Sequence, residues 1–334
     1  MILVDALYLV SSGGVSLFRY FTEELVKRNN QVHFLIDKRY KEEVVNKYTS
    51  LKPSEKNRKV FYKTHQKKIK AVLCLSNIPP PIKLNVPVHI YFHNDLLIDT
   101  SGSNLSLFQK ALLRMKRIYI QYKNQKNYHW HVQTSLIKKK LIHKLYVNNK
   151  VISVTPFFPH ITNFKKTKNR KPNSFIYVAA FSPHKNHLNL LKGFIEAAKM
   201  TSQKIILHLT LDSKTVELQL IKGIKLPSNL EIKSLGLISK SRLIKCFEEN
   251  HFLIYPSLKE SFGLPLIEAA QLGLKVIAAD LHYTYEVIQP SLVFNPLSIV
   301  SIREIILSAL NLKTITPTTL KTKNKIQDLI KILT

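Results

Sequence analysis

The chain has 334 residues and a mass of 38.6 kDa, with 51 Lys and Arg against 21 Asp and Glu, a formal net charge of +30. A composition of 45% hydrophobic and 22% charged residues excludes a disordered tail or a collagen-like repeat, and the length suits two domains, each with its own core. So basic a surface calls for a polyanion, either nucleic acid or an anionic lipid leaflet.

From the N-terminus, Met1–Tyr8 reads as a short buried strand and Ser11-Ser12-Gly13-Gly14 as a turn. An amphipathic helix follows from Val15 to Lys27, with Val15, Phe18, Phe21, Leu25 and Val26 at helical spacing, and Gln31–Ile36 is the next strand. Further strands are expected at Ala71–Leu75, Val86–Phe92, Trp130–Gln133 and Val151–Val154, and helices at Ser103–Lys126 and Ser135–Tyr146. The first of these helices has an apolar stripe, Phe108, Leu112, Met115, Tyr119 and Tyr122, beside Lys110, Arg114, Lys116, Arg117 and Lys123. Such a helix either lies on an anionic membrane or packs its stripe on the N-terminal sheet.

The basic, Pro-flanked stretch Thr162–Asn173 marks a domain boundary. Beyond it the pattern alternates: Phe175–Ala180, Leu188–Lys199, Lys204–Leu211, Lys214–Ile221, Leu230–Leu235, Lys240–Glu249, Phe252–Tyr255, Leu264–Leu272 and Val276–Ala279. That alternation predicts a parallel, doubly wound α/β sheet. A last amphipathic helix is expected over Leu320–Leu333.

The charge is unevenly placed. Residues 1–170 hold 31 Lys and Arg against 9 Asp and Glu, a net of +22, while residues 171–334 hold 20 against 12, a net of +8. No acid occurs between Thr100 and Ile195, where 18 Lys or Arg lie. Cys74 and Cys246 sit in apolar contexts without metal-ligand spacing, as buried reduced thiols do. No run of 18 apolar residues occurs, and Met1-Ile2-Leu3-Val4-Asp5 lacks the pattern of a signal peptide. The expectation is a cytoplasmic chain whose membrane contact, if any, is peripheral.

The chemistry concentrates in Tyr255-Pro256-Ser257-Leu258-Lys259-Glu260-Ser261-Phe262-Gly263-Leu264-Pro265-Leu266-Ile267-Glu268-Ala269. A strand ends at Tyr255, a loop presents Glu260, and Gly263-Leu264-Pro265 opens a helix whose free N–H groups suit an anion at the carboxyl edge of a sheet. Glu268 lies about one turn inside that helix, and a carboxylate suits sugar and ribose hydroxyls. Residues 251–290 carry a net of −2 in this basic chain.

This stretch resembles the E-x7-E signature of retaining glycosyltransferases of the GT-B fold, family 4, also described as glycosyl transferases group 1. Phe181-Ser182-Pro183-His184-Lys185-Asn186-His187, Ser234–Ile238 and Gly273–Ala279 extend the resemblance over Phe175–Pro296. The Gly13-Gly14 turn and His93 in Ile90-Tyr91-Phe92-His93-Asn94-Asp95 extend it more loosely. It implies two Rossmann-like domains facing across a cleft: an acceptor domain over 1–165, a nucleotide-sugar domain over 166–312, and a final helix over 313–334 packing back toward the first.

By that resemblance Glu268 holds the donor ribose, and Glu260 with the backbone of Phe262, Gly263 and Leu264 meets the donor sugar and phosphates. Lys185 neutralises the diphosphate leaving group, where negative charge builds as the glycosidic bond breaks. His93 reaches the donor sugar, and Gly13 and Gly14 let the first loop approach closely. The family keeps anomeric configuration, its mechanism being usually argued as front-side. The family's Arg five positions before the lysine is Ala180 here. No Asp-x-Asp occurs, so a metal-independent reaction without resident cofactor is expected.

The resemblance thus implies a hexose transferred from a nucleotide diphosphate sugar to a lipid-linked or polysaccharide acceptor in lipopolysaccharide, capsule or exopolysaccharide synthesis. The enzyme would sit at the inner membrane face, with the basic half on anionic lipid and no nucleic acid partner. Two alternatives stand beside it: a catalytically silent nucleotide-sugar binder, prompted by Ala180, and a basic nucleic-acid-binding protein, for which no RNP, KH, zinc-finger or helix-turn-helix signature is present.

Overall fold

The computed structural model describes residues 1–10, 12–27, 32–41, 44, 47–161 and 170–333. They divide into two compact units, one drawn from Met1–Thr100, Ser106–Pro159 and Lys323–Thr334, the other from Ser101–Leu105 and His160–Thr322. The expected boundary at 165 and most of the basic linker, residues 162–169, lie outside the described residues, as does Ser11.

The first unit runs β1 (Ile2–Ala6), α1 (Ser12–Val26), β2 (Val32–Asp37), β3 (Tyr48–Leu51), α2 (Glu55–His65), β4 (Ala71–Cys74), β5 (Val88–Phe92), α3 (Leu107–Lys123), β6 (His129–Val132), α4 (Ser135–Leu145) and β7 (Ile152–Val154). Its seven strands pair in parallel in the order β3-β2-β1-β4-β5-β6-β7. β1, β4 and β5 are buried at every position, as strands covered on both faces must be. Asp5 within β1 is tolerated in the core because Arg58 Nε and the Tyr62 hydroxyl donate to its Oδ2 at 2.8 and 2.7 Å.

The second unit runs β8 (Lys171–Tyr177), α5 (His187–Lys199), β9 (Ile205–Leu209), α6 (Ser213–Thr215), β10 (Leu230–Ser234), α7 (Lys240–Glu249), β11 (Asn250–Tyr255), α8 (Leu264–Gln271), β12 (Lys275–Ala279), α9 (His282–Val287), β13 (Ile288–Gln289), β14 (Leu292–Phe294), α10 (Ile299–Asn311) and β15 (Thr319–Leu320). Six strands pair in parallel in the order β10-β9-β8-β11-β12-β14, and β13 pairs antiparallel with β15. In both large sheets the order reverses once, between β1 and β4 and between β8 and β11. Loops at the carboxyl ends of the strands beside such a reversal diverge and leave room for a ligand. α11 (Ile326–Lys331) belongs to the first unit, where the Lys325 amide donates to Pro156 O at 2.7 Å and Asn324 Nδ2 to Phe158 O at 2.7 Å.

Several expectations are corrected. Gly13 and Gly14 lie inside the first turn of α1 rather than in a turn before it. The helix expected over 214–221 is α6 followed by a π-helical segment, Val216–Ile221. The helix expected over 320–333 shrinks to α11, because Asn324 spends its amide on Phe158 O and the Tyr20 hydroxyl and its carbonyl on the Ile326 amide, so the helix starts only beyond it. β3, α2, α9, α10 and β14 were not among the expected elements. Cys74 and Cys246 are free and buried, and burial pushes the Cys74 thiol up to about 12. Among the described residues no helix is long and apolar enough to cross a membrane.

Candidate functional site

Two loops meet at the strand-order reversal of the second sheet. One leaves β8 and carries Ser182 to Asn186; the other leaves β11 and carries Pro256 to Gly263. They are joined by backbone and side chain alike: the Leu258 amide donates to His184 O at 2.8 Å, and Asn186 Nδ2 to Pro256 O at 3.3 Å and Pro296 O at 2.7 Å. Asn186 adopts a left-handed φ of 60°, which asparagine tolerates better than most residues. Below them the Tyr177 hydroxyl donates to Lys185 O at 2.7 Å and lies 3.0 Å from Ser257 Oγ, and the Tyr283 hydroxyl donates to Ser257 O at 2.7 Å.

This bracing brings Lys185 and Glu260 together. Lys185 Nζ donates to Glu260 Oε1 at 2.5 Å, and the Tyr255 hydroxyl donates to the same oxygen at 2.7 Å. Burial alone would raise the Glu260 carboxyl, but the Lys185 charge and hydrogen bonds from Lys185, Tyr255 and Ser257 outweigh it and hold it below the ordinary carboxylate value. Glu260 is therefore ionised. The same charge works against the flanking imidazoles: burial and then Lys185 push His184 down to about 4 and His187 down to about 3. Neither histidine adds positive charge at neutral pH.

The helix that follows is set by Gly263, whose φ of +75° is left-handed and whose added Cβ would stand 3.0 Å from Leu266 Cδ1. With Gly263 at the cap and Pro265 in the first turn, no side chain caps α8, and Phe262 is buried beneath the loop. Glu268, also buried, does not join Glu260 on one cation. It pairs with Lys240, in the first turn of α7. Burial raises its carboxyl, and the Lys240 ammonium offsets this only in part.

Lys240, Lys259, Asn186 and Tyr255 are the residues that sequence reasoning passed over. Lys240 had a signal, since a lysine in the first turn of a helix faces the positive end of the dipole and calls for a nearby anion. Lys259 is buried, donates from Nζ to Ser101 O at 3.1 Å, and its charge is felt by His184. Ala180 is exposed and supplies no charge.

In the first unit His93 directly follows β5. Its amide donates to Asn77 Oδ1 at 2.6 Å and its Nε2 lies 2.7 Å from Leu75 O, a carbonyl that only an N–H can satisfy. Burial lowers its pKa, so the ring is neutral with the proton on Nε2. Gly13, in the first turn of α1, would meet nothing within 4 Å if it carried a Cβ. Among the described residues no group of three or more His, Cys, Asp or Glu is placed to hold a metal ion.

The same architecture recurs in solved structures of low sequence identity. A glycosyltransferase from Rickettsia africae ESF-5 superposes with a TM-score of 0.68 at 15% identity, over 99% of this chain and 92% of that one. Anabaena HepE in complex with UDP and glucose superposes with a TM-score of 0.63 at 13% identity, over 93% and 89%. The fold is thereby GT-B, two parallel-sheet α/β domains in one chain. Residues 160–325 match the family model of glycosyl transferases group 1. The O-antigen chain mannosyltransferase RfbU of Salmonella typhimurium is 31% identical over 164 residues, 47% of this chain. The match spans 44% of that relative's length.

Proposed function

We propose that the protein is a retaining glycosyltransferase that moves a hexose from a nucleotide diphosphate sugar to a lipid-linked or polysaccharide acceptor, in lipopolysaccharide, capsule or exopolysaccharide synthesis. The observation that carries the reading is the Lys185–Glu260 pair at the β8/β11 reversal, held by loops bonded to each other. An ammonium has three donors, so Lys185 can keep Glu260 while it meets a diphosphate. Breaking the bond between the anomeric carbon and the distal phosphate oxygen leaves charge on the diphosphate, and a fixed cation there stabilises that charge without reorganising.

In this reading Glu268, steadied by Lys240, takes the ribose hydroxyls. Glu260, ionised, takes a donor-sugar hydroxyl, and the backbone of Phe262, Gly263 and Leu264 takes phosphate. In the first unit His93 is neutral, and a Cβ on Gly13 would meet nothing within 4 Å. Lysine charge does the neutralisation, with no metal ion required, and buried Lys259 stands in for the arginine absent at Ala180. The family match supports the reaction class, and the names of RfbU and of the UDP- and glucose-bound HepE support a sugar nucleotide donor and a cell-surface glycan. The placement is cytoplasmic, peripheral to the inner membrane face.

A panel of UDP-, GDP- and ADP-hexoses screened by thermal shift, followed by donor hydrolysis and transfer with the hit, tests this. Lys185→Ala and Glu268→Ala are expected to cut turnover by at least about 100-fold with the fold intact. Full activity in both would overturn the site. Ala180 favours a second reading, a silent donor binder, which donor binding without hydrolysis or transfer would establish.

A further inference from the structure

Helix α3 turns its apolar stripe away from the protein. Leu107, Phe108, Leu112, Met115, Ile118 and Tyr122 are exposed, Phe108 at 78% and Tyr122 at 76% of their full surface. At about 100° per residue these six side chains fall within an arc of about 140°, which Tyr119 shares by position, and Ile120, the one buried residue of the helix, lies about 150° from its centre. What faces the first unit is largely tethered by polar groups. Arg117 Nη1 donates to Ile98 O at 2.6 Å and the Tyr119 hydroxyl to Glu55 Oε2 at 2.5 Å, while Leu113 packs against the core.

The helix is well made apart from this. Ser106 and Gln109 form a reciprocal capping box at its start, so the exposed stripe is not the product of a poorly formed segment. Basic residues border the arc on both sides, Lys110 and Arg114 along one edge and Lys116 along the other, where Lys123 Nζ already donates to Pro81 O at 3.0 Å. Lys144 of α4 lies beside it, its carbonyl accepting from Gln121 Nε2 at 3.2 Å. No acid occurs in the sequence from Ser101 to Phe194 to neutralise them.

We infer that this outer face of α3 docks on an anionic phospholipid bilayer, the six apolar side chains entering the boundary of headgroups and acyl chains and the flanking cations meeting phosphate. This deepens the membrane part of the reading above and does not depend on the donor chemistry. An apolar arc of this width has no use for a nucleic acid, which offers phosphates and base faces but no hydrocarbon to receive leucine and isoleucine side chains. A second copy of the chain would bring cation onto cation around the same arc. An anionic leaflet complements both features at once, the apolar centre and the basic rim.

The experiment uses the full chain and vesicles of phosphatidylcholine, alone or mixed with an equal share of phosphatidylglycerol, read by flotation. The wild type is expected to float with the mixed vesicles, less so at high salt. Phe108→Ser with Met115→Ser, both at exposed positions that leave the core untouched, is expected to weaken that partition at least about tenfold. Arg114→Gln with Lys116→Gln is expected to remove the preference for the anionic lipid. Donor hydrolysis without vesicles is expected to be unchanged in both variants, so failure of the membrane inference and failure of the proposed chemistry register in separate measurements. Partition of the apolar variant equal to wild type overturns the inference. So does retention on RNA without retention on vesicles, or a concentration-dependent dimer lost in the apolar variant while vesicles go unbound.

Discussion

Helices α3 and α5 are both amphipathic, and they present opposite sides to water. In α5, Leu190, Leu191, Phe194, Ile195, Ala197 and Ala198 are buried, whereas α3 buries Ile120 alone. α5 is enclosed because α10 packs on it as well as the sheet; a Cβ on Gly193 would stand 2.3 Å from Ile302 Cγ2, so the two helices meet closely there. Among the described residues α3 has no such second neighbour over its apolar arc, and Arg117 and Tyr119 tether it to Ile98 O and Glu55. Apolar periodicity therefore reports that a helix has an apolar face, and the partner available decides whether that face meets protein or something else.

The sharpest way to break this comparison is to truncate one phenylalanine in each helix. Phe194 is fully buried, edge-on to Phe175 with ring centroids 5.1 Å apart, and Phe194→Ala is expected to destabilise the second unit by about 3–5 kcal/mol in chemical denaturation. Phe108→Ala, at an exposed position, is expected to stay within about 0.5 kcal/mol of wild type. Equal losses would mean that α3 packs as α5 does.

Gly193→Ala tests the α5–α10 approach itself. An alanine in the middle of an exposed helix normally gains about 1 kcal/mol over glycine, but here the methyl must displace Ile302 and a loss of about 1–3 kcal/mol is expected. A gain would show that the helices separate readily.

Acid acts on both units alike, since each holds two histidines that burial keeps neutral, His184 and His187 in the second and another pair in the first. In the first sheet His89 and His131 are buried, His89 Nδ1 lies 3.0 Å from His131 Nε2, and His131 Nδ1 lies 3.2 Å from Thr155 Oγ1. Burial first, and then the charge of neighbouring imidazoles, pushes His89 down to about 4 and His131 down to about 3. The unfolded chain protonates both near 6.5 while the fold keeps them neutral, so stability is fully present above that value and falls as pH drops from about 6.5 toward about 4. Each histidine steepens the fall by about 1.4 kcal/mol per pH unit. Melting of His89→Asn with His131→Asn against pH is expected to be flatter for the first unit, and an unchanged slope would place the acid sensitivity elsewhere.

Much of this was legible in the residues. Alternating apolar runs gave parallel strands at the stated places, and the stretch from Tyr255 to Ala269 marked a strand, a loop and a helix that the structure holds in that order. What was not legible arose where a signal has two meanings. Tyr119 reads as part of the apolar stripe of α3, but its hydroxyl turns inward to Glu55. Glu260 and Glu268 read as two carboxylates on one site, yet each is held by its own lysine, and Lys240 comes from an element 28 residues earlier in the chain. Long-range pairing of this kind leaves no spacing to read. α10 is the contrary case: Ile302, Ile306 and Ala309 after Ser298 are an ordinary helix signal, and the alternation as read stops short of it at Ala279.

Gly13 supplies the smallest effect and the finest discrimination. Like Gly193 it lies within a helix, and unlike Gly193 it would meet nothing within 4 Å on gaining a methyl. The same substitution is therefore expected to act with the opposite sign: Gly13→Ala should raise the stability of the first unit by a few tenths of a kcal/mol, up to about 1, by restricting the unfolded chain and favouring the first turn. A loss of stability would contradict the open backbone around it. A gain in stability joined to a fall in donor turnover would be the informative result. It would show that the glycine is kept for the approach of a substrate and that the fold alone has no need of it.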